Sequence, residues 1–154
     1  WEAIALQAQS LGIRTCLLRT GIVLGQGGAL SKMLGPFKLG AGGRMGTGTQ
    51  WMSWIHINDL IGIILYCMEH EDIQGPVNGT SPYPATNLQF TKALGKVLNR
   101  PTIFPMPGAV IKLLMGQMGE ELLLAGKKIL PKKIQAAGYT FLYENLEQAL
   151  ADVV

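Results

Sequence analysis

The sequence predicts an α/β protein whose sheet is partly parallel and incomplete. Helical and strand-like segments alternate along the first hundred residues, an order typical of parallel sheets. The 154 residues suffice for one domain of ordinary size, yet only three or four strands can be found. Hydrophobic residues make up 48% and charged residues 15%, which excludes a disordered chain.

The first elements are a helix, a strand and a second helix. Residues 1–11 carry apolar side chains at helical spacing and end before Gly12, a residue that commonly terminates helices. Residues 13–19 (IRTCLLR) form a short apolar run that predicts a buried strand. Within the glycine-rich stretch that follows, residues 29–39 have a helical pattern.

A strand, a helix and another strand come next. Residues 50–57 (QWMSWIHI) are aromatic and strand-like, and Asn58 or Asp59 is the predicted N-cap of a helix that ends near His70. Trp51 and Trp54 should face opposite sides of the strand, one in the core and one at a cleft or interface. Residues 75–78 (GPVN) predict a short strand.

The remainder of the chain is predicted to be mainly helical. Thr86 and Gln89 have the spacing of a capping box and begin a helix that stops before Pro101. Residues 101–107 contain three prolines and should be extended. Further helices are predicted over residues 108–126, 132–137 and 145–154.

Glycine is the compositional outlier, because nine of the 20 glycines lie between Gly25 and Gly48. Neither G-x-G-x-x-G nor G-x-x-x-x-G-K-[ST] occurs, so the glycines do not form a recognisable phosphate-binding turn. The pair Gly43 and Gly46 lies between a helix and a strand. The segment is either a loop that needs positive φ angles or a loop that covers a substrate, with Arg44 as an anion-binding residue.

His56 and Asp59 lie at the junction between a strand and a helix. A metal site there would need further ligands, and the sequence offers few. The favoured interpretation is a clamp, in which the imidazole and the carboxylate bond loop backbone and cap the helix. No serine lies in a G-x-S-x-G setting, so a nucleophilic triad is not supported either.

The net charge and the length of the apolar runs limit the classes of binding partner that the sequence predicts. The net charge of +3 and the pI near 9.0 do not argue for nucleic acid. No apolar run reaches the about 18–20 residues of a membrane span, so we expect no membrane partner and a cytoplasmic protein with two reduced thiols, Cys16 and Cys67. A basic cluster is either a solvated face or a site for an anion or acidic partner; it comprises Lys127, Lys128, Lys132 and Lys133.

Several strings, taken together, resemble one protein family. They are LRTGIVLG at 18–25, GGAL at 27–30, GTGTQW at 46–51, WIHINDL at 54–60, GPVN at 75–78, RP and PMP between 100 and 107, and ILP followed by GYTF between 129 and 141. In this order they resemble the atypical extended short-chain dehydrogenase/reductases described as nucleoside-diphosphate-sugar epimerase-like proteins. Some bacterial members are labelled cell-division inhibitor homologues, and the family ends in a domain of unknown function.

The resemblance implies a Rossmann-like fold and covers the C-terminal half of such a protein. Residues 1–100 would be the later part of the Rossmann-like domain, with a glycine-rich substrate loop at 25–50. Residues 101–154 would be a helical, substrate-side subdomain. The cofactor-binding turn and the catalytic Tyr-x-x-x-Lys would lie upstream, so no catalytic residue is expected here, and none of the four tyrosines has Lys four residues later.

The resemblance also implies residue roles. Four consecutive residues would pack against the nicotinamide end of NADP or NAD in the full-length protein: Thr20, Gly21, Ile22 and Val23. Contacts with a small-molecule substrate, such as a nucleotide sugar, are expected from Arg44, Gln50, Trp51 and His56. The chain would thus provide a wall of the nicotinamide pocket and a substrate lid, and it should bind no cofactor alone.

Two other functions are compatible with the sequence. The chain could be a non-catalytic binding or regulatory module, in which the lysine cluster or the tryptophan pair engages a protein partner. It could also form a homo-oligomer, because an incomplete sheet exposes an edge and apolar faces.

Overall fold

The computed structural model describes residues 1–106 and 126–154. The helices are α1 (Glu2–Leu6), which continues into a 3-10 helix (Gln7–Leu11), α2 (Gly28–Lys38), α3 (Ile57–Glu69), α4 (Asn87–Val97), α5 (Lys132–Ala136) and α6 (Leu146–Val153). The strands are β1 (Cys16–Thr20), β2 (Ile22–Leu24), β3 (Trp51–Met52), β4 (Trp54–His56), β5 (Gly75–Gly79) and β6 (Ala85–Thr86).

The principal strand pairs are parallel. β1 pairs with β5, from Cys16 opposite Gly75 to Thr20 opposite Gly79, and β2 pairs with β4. β3 and β6 form a small antiparallel pair. Parallel strands joined through helices are the arrangement that the alternation of elements predicts.

Gly21 is the point where the first long strand changes its partner. Its amide donates to the carbonyl of Gly79 at 3.0 Å, whereas the amide of Ile22 donates to the carbonyl of Ser53 at 2.8 Å. A Cβ atom at Gly21 would overlap with the carbonyl oxygen of Ser53. The backbones therefore approach so closely at this junction that glycine is required.

β4 separates two apolar clusters. Trp54 belongs to a cluster with side chains from α2, α4 and α6, and Ile55 belongs to a second cluster with side chains from α3, β5 and α5. Neighbouring residues of a strand point to opposite faces, so β4 is covered by helices on both sides. The tail of the chain thereby contributes to both clusters through α5 and α6.

Most predicted elements are confirmed, with local differences. The predicted helix over residues 1–11 divides into α1 and a 3-10 helix, and Gly12 ends it with φ of 74°. The predicted strand over residues 50–57 is interrupted at Ser53, which separates β3 from β4. The predicted helix over residues 108–126 lies outside the described residues, apart from Gly126.

Caps provide the clearest test of the local predictions. The capping box between Thr86 and Gln89 is confirmed, with both reciprocal hydrogen bonds present. The prediction that Asn58 or Asp59 caps α3 is wrong. His56 is the N-cap, because its Nδ1 accepts a hydrogen bond from the amide of Asn58 at 3.2 Å.

Within residues 1–106 and 126–154, no helix combines the length and the apolarity that crossing a bilayer requires. Cys16 and Cys67 are free thiols, the first half-buried and the second buried.

Candidate functional site

A cavity of about 900 Å³ lies beside the junction of β1 and β2. One side is the strand segment Thr20–Val23, and a second is the glycine-rich turn that leads into α2. Trp51, Ser53 and Ile57 line it as well, together with residues 126, 127 and 129 of the tail. The cavity thus lies where the ends of parallel strands meet a later segment of the chain, a common place for ligand sites in α/β proteins.

The glycine turn leaves backbone exposed to the cavity. Gly27 and Gly28 are among the lining residues, and a Cβ atom at either position would meet no other atom within 4 Å. Gly28 has φ of 65°, which favours glycine, whereas Gly27 has the extended φ of −146°. The turn therefore presents peptide groups to the cavity without side chains in front of them.

The opposite wall is a segment that we call the tail strap, residues 126–130. Ser53 holds it with one hydroxyl group, which donates to the carbonyl of Lys127 and accepts from the amide of Ile129, both at 2.9 Å. Ser53 is itself buried. A single hydroxyl group in the gap between β3 and β4 thus makes two hydrogen bonds to the tail strap.

Two residues at the end of β5 and beyond it hold the tail strap at a second place. Asn78 Nδ2 donates to the carbonyl of Leu130 at 3.0 Å, and the Thr80 hydroxyl donates to the carbonyl of Ile129 at 3.3 Å. At its other end Gly126 lies so close to Trp51 that a Cβ atom there would overlap with the Trp51 carbonyl oxygen. The tail strap is therefore fixed on the strand ends by contacts along its whole length.

Trp51 and Trp54 occupy the opposite faces that the sequence predicts. Trp54 is fully buried and donates from Nε1 to the carbonyl of Tyr83 at 3.0 Å. Trp51 is half-buried, lines the cavity and carries the ammonium group of Lys128 at 4.5 Å from its ring centroid. The indole of Trp51 thus connects the strand wall of the cavity with the tail strap.

Arg44 and Gln50 hold the glycine-rich loop and are not among the cavity-lining residues. Arg44 Nη1 donates to the carbonyls of Gly46 and Thr47, at 2.8 and 3.2 Å. Gln50 Nε2 donates to the carbonyl of Met45 at 2.9 Å. Both side chains fix the backbone of this loop in the structure, and Arg44 is exposed.

His56 is buried away from the cavity. Since its Nδ1 accepts from the Asn58 amide, the ring proton belongs on Nε2, which lies 3.2 Å from a carboxylate oxygen of Asp152 in α6. The ring stacks on Tyr143 at a centroid distance of 3.7 Å. His56 therefore joins α3 to the tail.

Asp59 is fully buried and binds the loop that precedes α6. Its carboxylate accepts hydrogen bonds from the amides of Leu142 and Tyr143, at 2.8 and 2.9 Å. The hydroxyl of Tyr139 lies at 3.3 Å from the same carboxylate. Together with the capping role of His56, these contacts confirm the predicted clamp.

Tyr139 is the ionisable group most clearly affected by this arrangement. Burial, together with the charge of Asp59 and the hydrogen bond to its carboxylate, raises the pKa of Tyr139 from 10.0 to about 12. A phenolate beside a buried carboxylate would place two negative charges together, which favours the neutral phenol.

The cavity lining is suited to binding rather than to acid–base catalysis. Among the described lining residues, Lys127 is the charged one, and none carries a carboxylate, an imidazole or a thiol. In the part of the chain that the structure covers, no group of three His, Cys, Asp or Glu residues could hold a metal ion.

Sequence reasoning missed the residues that hold the tail strap. Ser53, Asn78 and Thr80 are small polar residues in or beside strands, and their partners are 49 to 76 positions away. A local pattern cannot reveal such a pairing. The interruption of an apolar run by Ser53 is the one signal that the sequence offers, since a buried hydroxyl needs a partner.

Parallel strand pairs, helices on both faces and a glycine-lined cavity at the strand ends define a Rossmann-like α/β protein. Residues 1–78 match the family described as the NAD dependent epimerase/dehydratase family, and residues 106–153 match a domain of unknown function, DUF1731. The chain belongs to the NAD dependent epimerase/dehydratase family, which confirms the resemblance seen in the sequence.

Relatives and solved structures agree with this assignment. The bovine (Bos taurus) epimerase family protein SDR39U1 is 42% identical over 156 residues, covering 100% of this chain and 53% of that protein. The chain therefore spans about half the length of the curated relatives that it matches.

Two crystal structures share the fold at substantial identity. The human protein SDR39U1 (isoform 2), solved with NADPH, superimposes with a TM-score of 0.83 at 40% identity over 91% of this chain and 48% of that chain. A nucleoside-diphosphate sugar epimerase from Corynebacterium glutamicum gives a TM-score of 0.73 at 33% identity over 98% of this chain and 28% of that chain.

Proposed function

We propose that this chain forms the nicotinamide-side wall and the substrate-side cover of the active site in an NAD(P)-dependent epimerase or reductase. The observation that carries the proposal is the cavity between Thr20–Val23 and the tail strap. The two walls come from the residues that match the epimerase family and from those that match the domain of unknown function. In this proposal residues 1–100 complete the Rossmann-like domain, and residues 101–154 form the cover.

The lining fits a nicotinamide ring. Ile22, Val23 and Ile57 offer apolar surface, while the backbone of the Gly27–Gly28 turn offers hydrogen-bond partners for a carboxamide. The described lining has no carboxylate that would repel a phosphate-bearing cofactor. When bound, the nicotinamide would supply hydride transfer, and the residues of this chain would orient it and exclude water.

The substrate would lie in the part of the cavity that Trp51 and the tail strap line together. Trp51 offers an aromatic face at the cavity, and Lys127 offers a cation. The glycine-rich loop that Arg44 and Gln50 hold in shape would cover the substrate from the side. The similarity to a nucleoside-diphosphate sugar epimerase supports a nucleotide sugar, whose phosphates would match Lys127.

The chain alone is expected to be inactive, because the described cavity lining lacks an acid, a base and a phosphate-binding turn. Titration with NADPH, followed by calorimetry, tests this expectation. We expect no binding by the 154-residue chain and binding by a longer protein that adds the upstream half of a relative such as SDR39U1. Micromolar binding by the 154-residue chain would contradict it.

A single substitution in the longer protein tests the cavity itself. Gly27→Leu places a side chain into open space at the cavity, with a backbone angle that leucine adopts without strain. We expect NADPH binding to weaken at least tenfold. Gly35→Leu is the matched control, since Gly35 is exposed on α2 with open space around it and should leave NADPH binding unchanged.

A second function, binding of an acidic partner, is supported by a different groove. This groove, of about 690 Å³, is lined by Lys128, Lys132, Lys133 and by Arg19, which is ion-paired with Glu2, and none of its described lining residues is acidic. Binding of poly-glutamate in a salt series tests it. Lys132→Glu combined with Lys133→Glu should abolish this binding, whereas Lys32→Glu combined with Lys38→Glu on α2 should not. Equal loss in both variants would remove the groove as the site.

A further inference from the structure

The two cysteines of the chain face each other across the contact between β1 and α3. Cys16 lies at the start of β1, and Cys67 lies in the last turn of α3. Both line a cavity of about 210 Å³, whose other walls include Leu18, Ile64 and Val77. Residues far apart in the sequence thus bring two thiols to one small space.

The two cysteines share a neighbour, since Arg14 Nη1 lies 3.5 Å from the Cys16 sulfur and 2.7 Å from the Cys67 carbonyl oxygen. Burial raises the pKa of Cys67, and the nearby Cys16 acts in the same direction. The Cys16 thiol in turn donates to the carbonyl of Ile73 at 3.1 Å. Since Cys16 is half-buried and Cys67 is buried, a reagent that enters the cavity reaches Cys16 more readily.

A fixed cation lies beside Cys16. Arg14 Nη1 is 3.5 Å from the Cys16 sulfur, and it also donates to the carbonyls of Cys67 and Ile73, at 2.7 and 3.0 Å. These hydrogen bonds tie the guanidinium group to the end of α3. The guanidinium group beside the Cys16 sulfur is therefore held in place by the fold.

We propose that Cys16 and Cys67 form a reversible oxidation site, which closes to an intramolecular disulfide when the chain meets a peroxide. The proposal rests on the thiols alone and is independent of the cofactor site. It identifies a modification site between β1 and α3. Cys16 lies on β1, and the other end of this strand, Thr20, lines the large cavity.

The chemistry has two steps. Cys16, as a thiolate, attacks a peroxide oxygen; the O–O bond breaks, a sulfenic acid forms at Cys16, and a hydroxide leaves, protonated by the proton that the thiol released. The Cys67 sulfur then attacks the Cys16 sulfur, the S–O bond breaks, and water leaves with the proton of Cys67. Overall two thiols lose two electrons to one peroxide, which becomes two waters.

The disulfide would tie β1 covalently to α3, the helix that begins beside the His56 and Asp59 clamp. A cross-link between elements far apart in the sequence restricts the unfolded chain. We therefore expect the oxidised protein to unfold at a higher urea concentration than the reduced protein, and reductant to reverse the shift.

The test treats the folded protein with hydrogen peroxide and follows it by intact mass, thiol labelling and peptide mapping. We expect loss of the mass of two hydrogen atoms, loss of both labelled thiols, a cross-linked peptide pair containing Cys16 and Cys67, and full reversal by dithiothreitol. The proposal would be overturned by any of three results: both thiols still react with the labelling reagent after peroxide treatment, only an intermolecular disulfide forms, or the thiols are oxidised to sulfinic acid without a cross-link.

Single variants assign the order of the steps and need no stability measurement. In Cys67→Ser, a dimedone adduct should accumulate at Cys16, because the second thiol is missing. In Cys16→Ser, Cys67 should remain labelled after the same exposure, since it is buried. A dimedone adduct at Cys67 formed as fast as that at Cys16 would overturn the assignment of Cys16 as the first sulfur to react.

Discussion

The two walls of the large cavity are built in different ways. The strand wall, from Cys16 to Leu24, takes its shape from backbone pairing with β5 and β4 and from the close approach at Gly21. The tail strap takes its position from a few polar side chains, above all Ser53, and Asp59 of α3 fixes the loop before α6; we call these two segments together the tail wall.

This difference determines how each wall should respond to substitution. Backbone pairing survives most side-chain changes, because every residue brings the same amide and carbonyl. A wall held by single hydroxyl and carboxylate groups loses several contacts when one group is removed. We therefore expect single polar substitutions to loosen the tail wall while the strand wall stays in place.

The largest effect is expected at Asp59. Asp59→Ala removes a buried carboxylate that accepts two backbone amides, and these amides would remain buried without a partner. We expect a loss of about 3 kcal/mol in the free energy of unfolding, measured by urea denaturation. Asp72→Ala, at an exposed position, is the control and should change the stability little. A loss of stability no larger than that of the control would show that the clamp does not hold the tail.

The next effect is expected at Ser53. Ser53→Ala removes two hydrogen bonds to the tail strap, and we expect a loss of about 1–2 kcal/mol. Hydrogen exchange locates the change: the amide of Ile129 should exchange faster, while amides of β1 keep their protection. Ser10→Ala removes a hydroxyl that bonds locally in the 3-10 helix and serves as the control. Unchanged exchange at Ile129 would contradict the role of Ser53.

Tyr139 makes the stability of the protein depend on pH in the alkaline range. The folded-state pKa of about 12 lies above the ordinary value of 10.0, so the unfolded chain releases this proton first as the pH rises. The stability that depends on the neutral phenol is therefore complete below pH 10 and is lost between pH 10 and 12. Tyr139→Phe should have a flatter stability curve over this range in urea denaturation. A curve parallel to that of the unchanged protein would count against this contribution.

The smallest effect is expected at Lys128. Lys128→Met removes the cation above Trp51 but keeps an apolar side chain there, and we expect a loss of about 0.5 kcal/mol. The emission maximum of Trp51 should shift in this variant. Lys38→Met, at the exposed end of α2, controls for the loss of one positive charge. Equal emission spectra in both variants would argue against the stacking.

The strand wall was predictable from the sequence, because local patterns specify it. The apolar run before Thr20 depends on neighbouring residues alone. The same holds elsewhere in the chain for the capping box at Thr86 and for the alternation of Trp51 and Trp54. The resemblance implies that residues 20–23 pack against the nicotinamide end of the cofactor, and the structure places all four at the cavity. Their contact with the nicotinamide stays a prediction.

The tail wall was only partly predictable. The clamp at His56 and Asp59 followed from their position at a strand end, yet the helix cap was assigned to the wrong residue because a histidine is an unusual N-cap. The roles of Ser53 and Thr80 depend on partners brought close by the fold. The two-residue strand β6 likewise exists through its pairing with β3, and its own sequence does not predict it.

Trp51 allows the most direct test of the proposed cofactor wall. Reduced nicotinamide absorbs where tryptophan emits, so NADPH bound beside Thr20–Val23 should quench Trp51 by energy transfer in the longer protein. Trp51→Phe should retain NADPH binding in calorimetry and lose most of this quenching. NADPH binding that leaves the emission of Trp51 unchanged would place the nicotinamide elsewhere and contradict the account.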